Sequence, residues 1–269
     1  MLLAVATLPA CATSHEQAGA PSASARIMSY NIHAGLDLQR GSNLERVAAL
    51  IDSLRVDVVL LQEVDRSTAR SGKVDQAAEL SRRTGMHFVF GRAMPYDGGE
   101  YGIAVLSRFP VVTSRVVPLV IPDGADSAAQ ATEPRVMLHV VLAAPQGELH
   151  VVNTHLDHRA HSAARSGQVL QLIAYGAQDV PQGAPLVLGG DMNARPDAIE
   201  VRALGAIFDD AWLGCGTGPG YTFRADQPDR RIDYLMLVRV RCTRAQVIAT
   251  EISDHRPLIV DVQLRPASK

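Results

Sequence analysis

L-H-V-V-N-T-H occupies residues 149–155 and P-L-V-L-G-G-D residues 185–191. Each is a short apolar run of strand length that closes on a polar residue, His155 in the first and Asp191 in the second. Between them, from about Ser162 to Ala177, the sequence predicts a helix. Strand, helix, strand is the mark of an α/β chain, and the pattern continues outward from this unit. On the N-terminal side, R-I-M-S-Y-N-I (26–32) alternates into a strand ending at Asn31. L-E-R-V-A-A-L-I-D-S-L (44–54) carries apolar residues at helical spacing, and V-D-V-V-L-L-Q-E-V (56–64) is a strand with Glu63 at its C-terminal end. A second helix, V-D-Q-A-A-E-L-S-R-R-T-G (74–85), is closed by Gly85. H-F-V-F-G (87–91), G-I-A-V-L-S-R (102–108) and V-M-L-H-V-V-L (136–142) read as strands, as do R-I-D-Y-L-M-L (231–237) and the closing L-I-V-D-V (258–262). No internal repeat and no break in composition follows Arg26, so residues 26–269 are expected to form one domain.

The chain has 269 residues and 47% hydrophobic content, enough for a large core. Its net charge of -2 lacks the basic excess that proteins gripping long duplex nucleic acid usually carry, and at 4% aromatics are few for base stacking. Extended nucleic-acid binding is therefore disfavoured. No internal stretch approaches the roughly 20 apolar residues of a membrane span. Residues 1–25 differ from the rest: M-L-L-A-V-A-T-L-P-A-C is apolar, and a small, polar stretch follows. This reads as an export signal and a flexible linker. L-P-A-C (8–11) resembles a bacterial lipobox, in which Cys11 would be acylated and anchor the chain to a membrane, although no Lys or Arg precedes the apolar run. The expected location is the bacterial cell envelope or periplasm, with secretion as the alternative. Cys215 and Cys242 then remain, either as a disulfide or as two buried thiols.

The polar residues fall in a pattern. Asn31, Glu63, His155, Asp191 with Asn193, Asp233, and Asp254 with His255 are expected to end strands, and strand C-terminal ends form the rim where α/β sheets build their sites. The carboxylates and amides are hard oxygen ligands suited to Mg²⁺ or Mn²⁺, and two histidines beside such an ion suit proton transfer. Both remaining cysteines lie outside these segments, which disfavours a thiolate zinc site. Neither a Walker-type phosphate loop nor a G-x-S-x-G elbow is present.

Seven segments carry a resemblance: S-Y-N-I-H (29–33), L-Q-E-V-D (61–65), Y-G-I-A-V-L-S-R (101–108), N-T-H-L-D (153–157), G-D-M-N (190–193), R-I-D-Y-L (231–235) and S-D-H-R-P (253–257). In this order they resemble the endonuclease/exonuclease/phosphatase superfamily, which includes deoxyribonuclease I, apurinic endonucleases, neutral sphingomyelinases and inositol polyphosphate phosphatases. The resemblance implies a four-layer α/β sandwich of two packed mixed sheets with helices outside. It implies Glu63 as principal metal ligand with Asn31 beside it and Asp254 on the metal or nucleophile side. Asp191 and Asn193 would orient the attacking water and the phosphate. His255 would be the general base or a phosphate-polarising imidazole, held in its tautomer by Asp233. His155 would bond the scissile phosphate or act as the acid. Glu100 and Arg135 are further candidates for substrate or phosphate contact, His33 could border the site, and His158 and His161 suit a solvated loop. The expectation is a monomeric, Mg²⁺- or Mn²⁺-dependent phosphodiesterase or phosphatase acting on a lipid-like or other envelope phosphoester. A secreted or periplasmic nuclease and a non-catalytic envelope binding lipoprotein are the alternatives.

Overall fold

The computed structural model describes residues 23–120, 133–159 and 163–264. Cys11 and His161 lie outside them. Among the described residues twelve strands form two six-stranded sheets. The first comprises β1 (Ala23–Asn31), β2 (Val58–Arg66), β3 (His87–Tyr96), β4 (Gly99–Ser107), β11 (Val240–Val247) and β12 (Leu258–Leu264), in the order β11-β12-β1-β2-β4-β3. The second comprises β5 (Val111–Leu119), β6 (Arg135–Ala144), β7 (Gly147–His155), β8 (Leu186–Asp191), β9 (Asp209–Asp210) and β10 (Asp233–Val238), in the order β5-β6-β7-β8-β10-β9. Helices α1 (Leu44–Ser53) and α2 (Gln76–Thr84) cover the first sheet, and α3 (Ala163–Gln178) and α4 (Ile199–Gly205) the second. The short α5 (Ala211–Cys215) packs against β10 and β11.

The period-two alternation of the strands builds these layers. Ile27, Val58 and Leu60 of the first sheet face Leu138, Val140, Val151 and Val187 of the second, forming the core between the sheets. The intervening residues face outward: Met28, Tyr30, Val59 and Leu61 meet α1 and α2, while Met137, Val152 and Leu188 meet α3 and α4. Strands apolar on both faces are what a sheet covered on both sides requires. The four-layer sandwich is thus the observed fold.

Several boundaries differ from the sequence reading. β1 begins at Ala23, inside the stretch expected to be linker, because its first residues pair with the end of β12 (Ala23↔Leu264). β5 and β11 were not expected; both are sheet edges, and β5 is largely exposed. Cys215 and Cys242 form a disulfide with their Cα atoms 6.1 Å apart, tying α5 to β11. Among the described residues no helix is long and apolar enough to cross a membrane.

Candidate active site

Strand direction gathers the polar residues. β1 runs parallel to β2 and β7 parallel to β8, so Asn31, His155 and Asp191, each the last residue of its strand, reach one rim of the sandwich. β10 runs antiparallel to β8, pairing Asp233 with Asp191, so Asp233 is the first residue of its strand. β12 runs antiparallel to β1, which puts Asp254 and His255 just ahead of Leu258 at the same rim. The expectation of strand C-terminal ends is corrected here: in mixed sheets an antiparallel strand begins where its parallel neighbours finish. Glu63 is corrected too. β2 continues to Arg66, and Glu63 sits in a β-bulge between Leu61 and Val64, with φ 55°. The bulge re-aims this side chain and spends the left-handed backbone there.

The amide of Asn31 donates to Glu63 Oε1 (3.0 Å) and to Asp191 Oδ2 (3.1 Å), while its oxygen accepts from the His33 backbone N–H (3.0 Å). Asn31 therefore couples the bulge of one sheet to a strand end of the other, and turns its nitrogen rather than its oxygen toward the carboxylates. Asn193, also left-handed at φ 49°, donates its N–H to Asp191 Oδ1 at 2.8 Å. Gly190 lets β8 pass this close to β7: a Cβ there would lie 1.9 Å from the Thr154 carbonyl oxygen.

His255 Nδ1 donates to Asp233 Oδ2 at 2.9 Å, and its Nε2 faces Asp191 Oδ2 at 3.6 Å. Burial alone would depress this imidazole, but Asp233 and Asp191 outweigh it and raise its pKa, so His255 holds its proton between two carboxylates. Burial and Asp233 together raise the pKa of Asp191. His155 is different. Its Nδ1 accepts from Arg135 Nη1 at 2.9 Å, which leaves the ring proton on Nε2, 3.6 Å from Asp191 Oδ2. Burial first, then Arg135 and His255, hold its pKa well below the ordinary value, so this ring is a neutral hydrogen-bond donor.

The site opens into a cavity of about 1500 Å³, into which Glu63, Arg135, His155, Asp191, Asn193, Asp254 and His255 all face. Glu100 does not line it: its carboxylate is taken by Arg66 and Arg92, neighbours across β2 and β3. Arg135 lines the cavity, but its contacts are His155 and Glu133 (3.0 Å), so it positions the histidine. Asp254 Oδ1 lies 4.0 Å from His33 Nδ1. His158 is exposed on the cavity wall. Sequence reasoning missed the scaffolding under the site. Asn153 donates to the carbonyls of Leu61 and Ala104 (2.8 Å each) and accepts from Gln62 (2.8 Å), pinning the two sheets together below Glu63. Ser253 donates to the Asn31 carbonyl at 2.8 Å, and the Phe223 ring lies 4.7 Å from that of His255. Asn153 stands inside the N-T-H-L-D segment, so its presence was a signal, though its role was not.

A model of the Endonuclease/Exonuclease/phosphatase family matches residues 28–255, and the chain belongs to this family, whose members are hydrolases acting on phosphoesters. Among curated proteins, Escherichia coli (strain K12) YbhP is 25% identical over 255 residues, covering 89% of this chain and 96% of that protein. Among solved structures, an endonuclease/exonuclease/phosphatase from Beutenbergia cavernae superposes with a TM-score of 0.73 at 25% identity, covering 91% of this chain and 72% of that one. The mannosyl-6-phosphatase Bt3783 of Bacteroides thetaiotaomicron superposes with a TM-score of 0.73 at 20% identity, covering 88% of this chain and 99% of that one.

Proposed function

We propose that this chain is a divalent-metal-dependent phosphoester hydrolase, using Mg²⁺ or Mn²⁺, that acts on a phosphodiester or phosphomonoester in the cell envelope. The observation that carries the reading is the cluster in which Asp191 meets His255, His155, Asn31 and Asn193 at one rim. The residues fit a hard cation. The atoms that could ligate are carboxylate oxygens and imidazole nitrogens with no thiolate, while the Asn31 amide nitrogen donates to the carboxylates. Asp233 Oδ1 is buried without a hydrogen-bond partner, and ligand atoms of Asp191, Asp233 and His255 lie within 4.8 Å of one another. His255 Nδ1 is already committed to Asp233, so Glu63, Asp254 and the free carboxylate oxygens are the better holders. Such an ion polarises a phosphoryl oxygen and lowers the pKa of water.

The protein's own groups divide the remaining work. His255, protonated between Asp233 and Asp191, donates Nε2–H to a phosphoryl oxygen, which favours the phosphate-polarising role over the general base. Asp191, its pKa lifted toward neutrality, takes the proton of the attacking water, which Asn193 helps orient. His155 donates its Nε2–H to a second oxygen. The test is hydrolysis of bis-p-nitrophenyl phosphate, p-nitrophenyl phosphate, sphingomyelin and plasmid DNA before and after EDTA. Activity should vanish with EDTA and return with Mg²⁺ or Mn²⁺; full activity in metal-free enzyme overturns the proposal. Arginines on the cavity wall, among them Arg70, Arg159, Arg195 and Arg230, favour anionic substrates and keep the nuclease reading open to the plasmid arm. The L-P-A-C segment supports export and anchoring through Cys11. In a bacterial host Cys11→Ala should release the protein from the membrane fraction with its specific activity intact, and unchanged membrane association refutes acylation there.

A further inference from the structure

One wall of the cavity carries a rigid cation with no part in the chemistry above. Arg70 follows β2 in the loop that leads to α2. Asp65, whose side chain is fully buried, accepts from Arg70 Nε (2.7 Å) and Nη2 (2.8 Å). Thr68 Oγ1 donates to the same carboxylate at 2.7 Å, and the Asp65 N–H donates to Gln76 Oε1 at 2.8 Å. The backbone N–H of Arg70 donates to Asp97 Oδ2 at 2.7 Å, locking the loop to the β3–β4 hairpin. The guanidinium lies over the Tyr96 ring at 4.4 Å and near that of Tyr101 at 5.5 Å. Tyr96 is 39% exposed, and Arg70, Tyr96 and Tyr101 all line the cavity.

This geometry leaves little freedom in the side chain. Its carboxylate partner sits behind it and two aromatic faces hold its plane, while Nη1 has no hydrogen-bond partner among the described residues. A structural salt bridge needs no opening onto a cavity and no exposed tyrosine beneath it. A recognition group needs both: a fixed planar fork binds an oxyanion without losing side-chain entropy on binding. Nor is Arg70 placed for the reacting phosphate. Its polar contacts are with Asp65 and, through the backbone, Asp97, and none among the described residues reaches Glu63, His155, Asp191 or His255.

We infer that Arg70, backed by Asp65 and stacked on Tyr96 and Tyr101, is a subsite for a second anionic group of the substrate, apart from the phosphoester that is cleaved. The preferred substrate then carries two anions, the second a phosphate, sulfate or carboxylate. The inference rests on the phosphoester reading, and its test separates the two. Fructose 1,6-bisphosphate and fructose 6-phosphate offer one scaffold with two anions or one. The kcat/KM ratio between them is measured for wild type, Arg70→Met, Arg70→Lys and Tyr96→Leu, and calorimetry on metal-free protein measures binding of both sugars. A charge-assisted fork is worth about 10- to 100-fold. In Arg70→Met the ratio should fall by about that factor, mostly through KM. Arg70→Lys, which keeps the charge and loses the fork, should show part of the fall, and Tyr96→Leu a smaller one. If Arg70→Met fails to fold because Asp65 is left unpaired, Arg70→Lys and Tyr96→Leu decide. A wild type without preference for the bisphosphate in either assay overturns the subsite, as does a folded Arg70 variant with an unchanged ratio. If wild type turns over no phosphoester, the hydrolase reading falls and calorimetry alone judges Arg70: a preference lost in the variants upholds it, and one that survives in them sinks it.

Discussion

Strand β7 carries two histidines five positions apart, and they meet opposite fates. An odd separation puts them on opposite faces of the strand. His155 points between the sheets at the rim, where Asp191 and Arg135 receive it. His150 points outward beneath α3, where it joins His139 of β6, its diagonal neighbour across the strand pair, and Tyr175 of α3. His139 bonds Tyr175 Oη through Nδ1 and His150 Nδ1 through Nε2, each at 2.9 Å, and among the described residues no carboxylate hydrogen-bonds this chain. Burial drives the pKa of His139 down to about 4, with His150 adding to the effect, and lowers that of His150. His255, as buried as either, is raised, because two carboxylates oppose the same desolvation. Burial alone therefore does not set an imidazole's charge; the charge of its partners does, and what separates His155, which burial also keeps neutral, from His150 is its place beside Asp191 at the rim. One cluster opens into the large cavity, and the other is sealed under a helix.

The largest expected effect breaks the comparison at its functional end. His255→Ala should lower kcat by about 10² to 10⁴ with KM little changed, because substrate remains held by the other groups of the site. Asp233→Asn should give part of that loss, since it acts by holding the His255 ring and its proton. The double variant should be little worse than His255→Ala alone. The four kcat values on one chromogenic phosphodiester at saturating Mg²⁺ form a double-mutant cycle. Losses that multiply would show that the two residues act independently. His139→Gln should change kcat by less than about threefold, and a larger loss would erase the distinction between the clusters.

Part of this contrast was readable from residue order and part was not. The alternation of R-I-M-S-Y-N-I and L-H-V-V-N-T-H exposes the strands because buried sheets select apolar side chains at fixed period. The residue types of Glu63, His155, Asp191 and His255 expose the chemistry because metal and phosphate demand them. Direction was hidden. Whether Asp233 begins or ends its strand depends on β8 running antiparallel beside it, a tertiary fact. The bulge at Glu63 exists only relative to its pairing with β4. Glu100 looked free because Arg66 and Arg92 reach it from other strands. β5, exposed along most of its length, has no buried face to leave a pattern. The His139–His150 chain left no trace, since each histidine interrupts an otherwise ordinary apolar strand and the two lie 11 positions apart.

A smaller effect sharpens the comparison through stability. His139 has a folded pKa near 4 and an unfolded one near 6.5. The unfolded chain therefore binds the proton first as pH falls, so this group's contribution is complete above about pH 6.5 and is lost on the way down to about pH 4. His255 has the opposite sign: raised in the folded state, its contribution is complete below about pH 6.5 and is lost as pH rises toward its folded pKa. Urea unfolding in EDTA at pH 7.5 and pH 5 should show the stability gap between wild type and His139→Gln shrinking at the lower pH. With partial solvent screening the change is on the order of 1–2 kcal/mol. A gap that is constant or widens would place His139 among the charged imidazoles.

The smallest expected effect tests whether the sealed cluster is held by hydrogen bonding or by packing. Tyr175 stacks edge-on against His139, with ring centroids 5.5 Å apart and planes at 82°, and its hydroxyl is the end of the chain. Tyr175→Phe keeps the ring, the edge-on contact and the apolar burial against α3, and removes only the hydroxyl. His139 Nδ1 then has no partner in the chain, whichever tautomer the ring adopts, because its Nε2 remains engaged with His150. The hydrogen bond is buried, and losing it costs about 1 kcal/mol, the usual net worth of a neutral hydrogen bond. The measurement is urea unfolding at pH 7.5, where both histidines are neutral and the pH effect above is silent, alongside kcat on the same phosphodiester. A loss near that size with kcat unmoved marks the chain as a structural pair to the catalytic one. Unchanged stability assigns the cluster to packing alone, and a fall in kcat would mean that α3 transmits its state along β7 from His150 to His155.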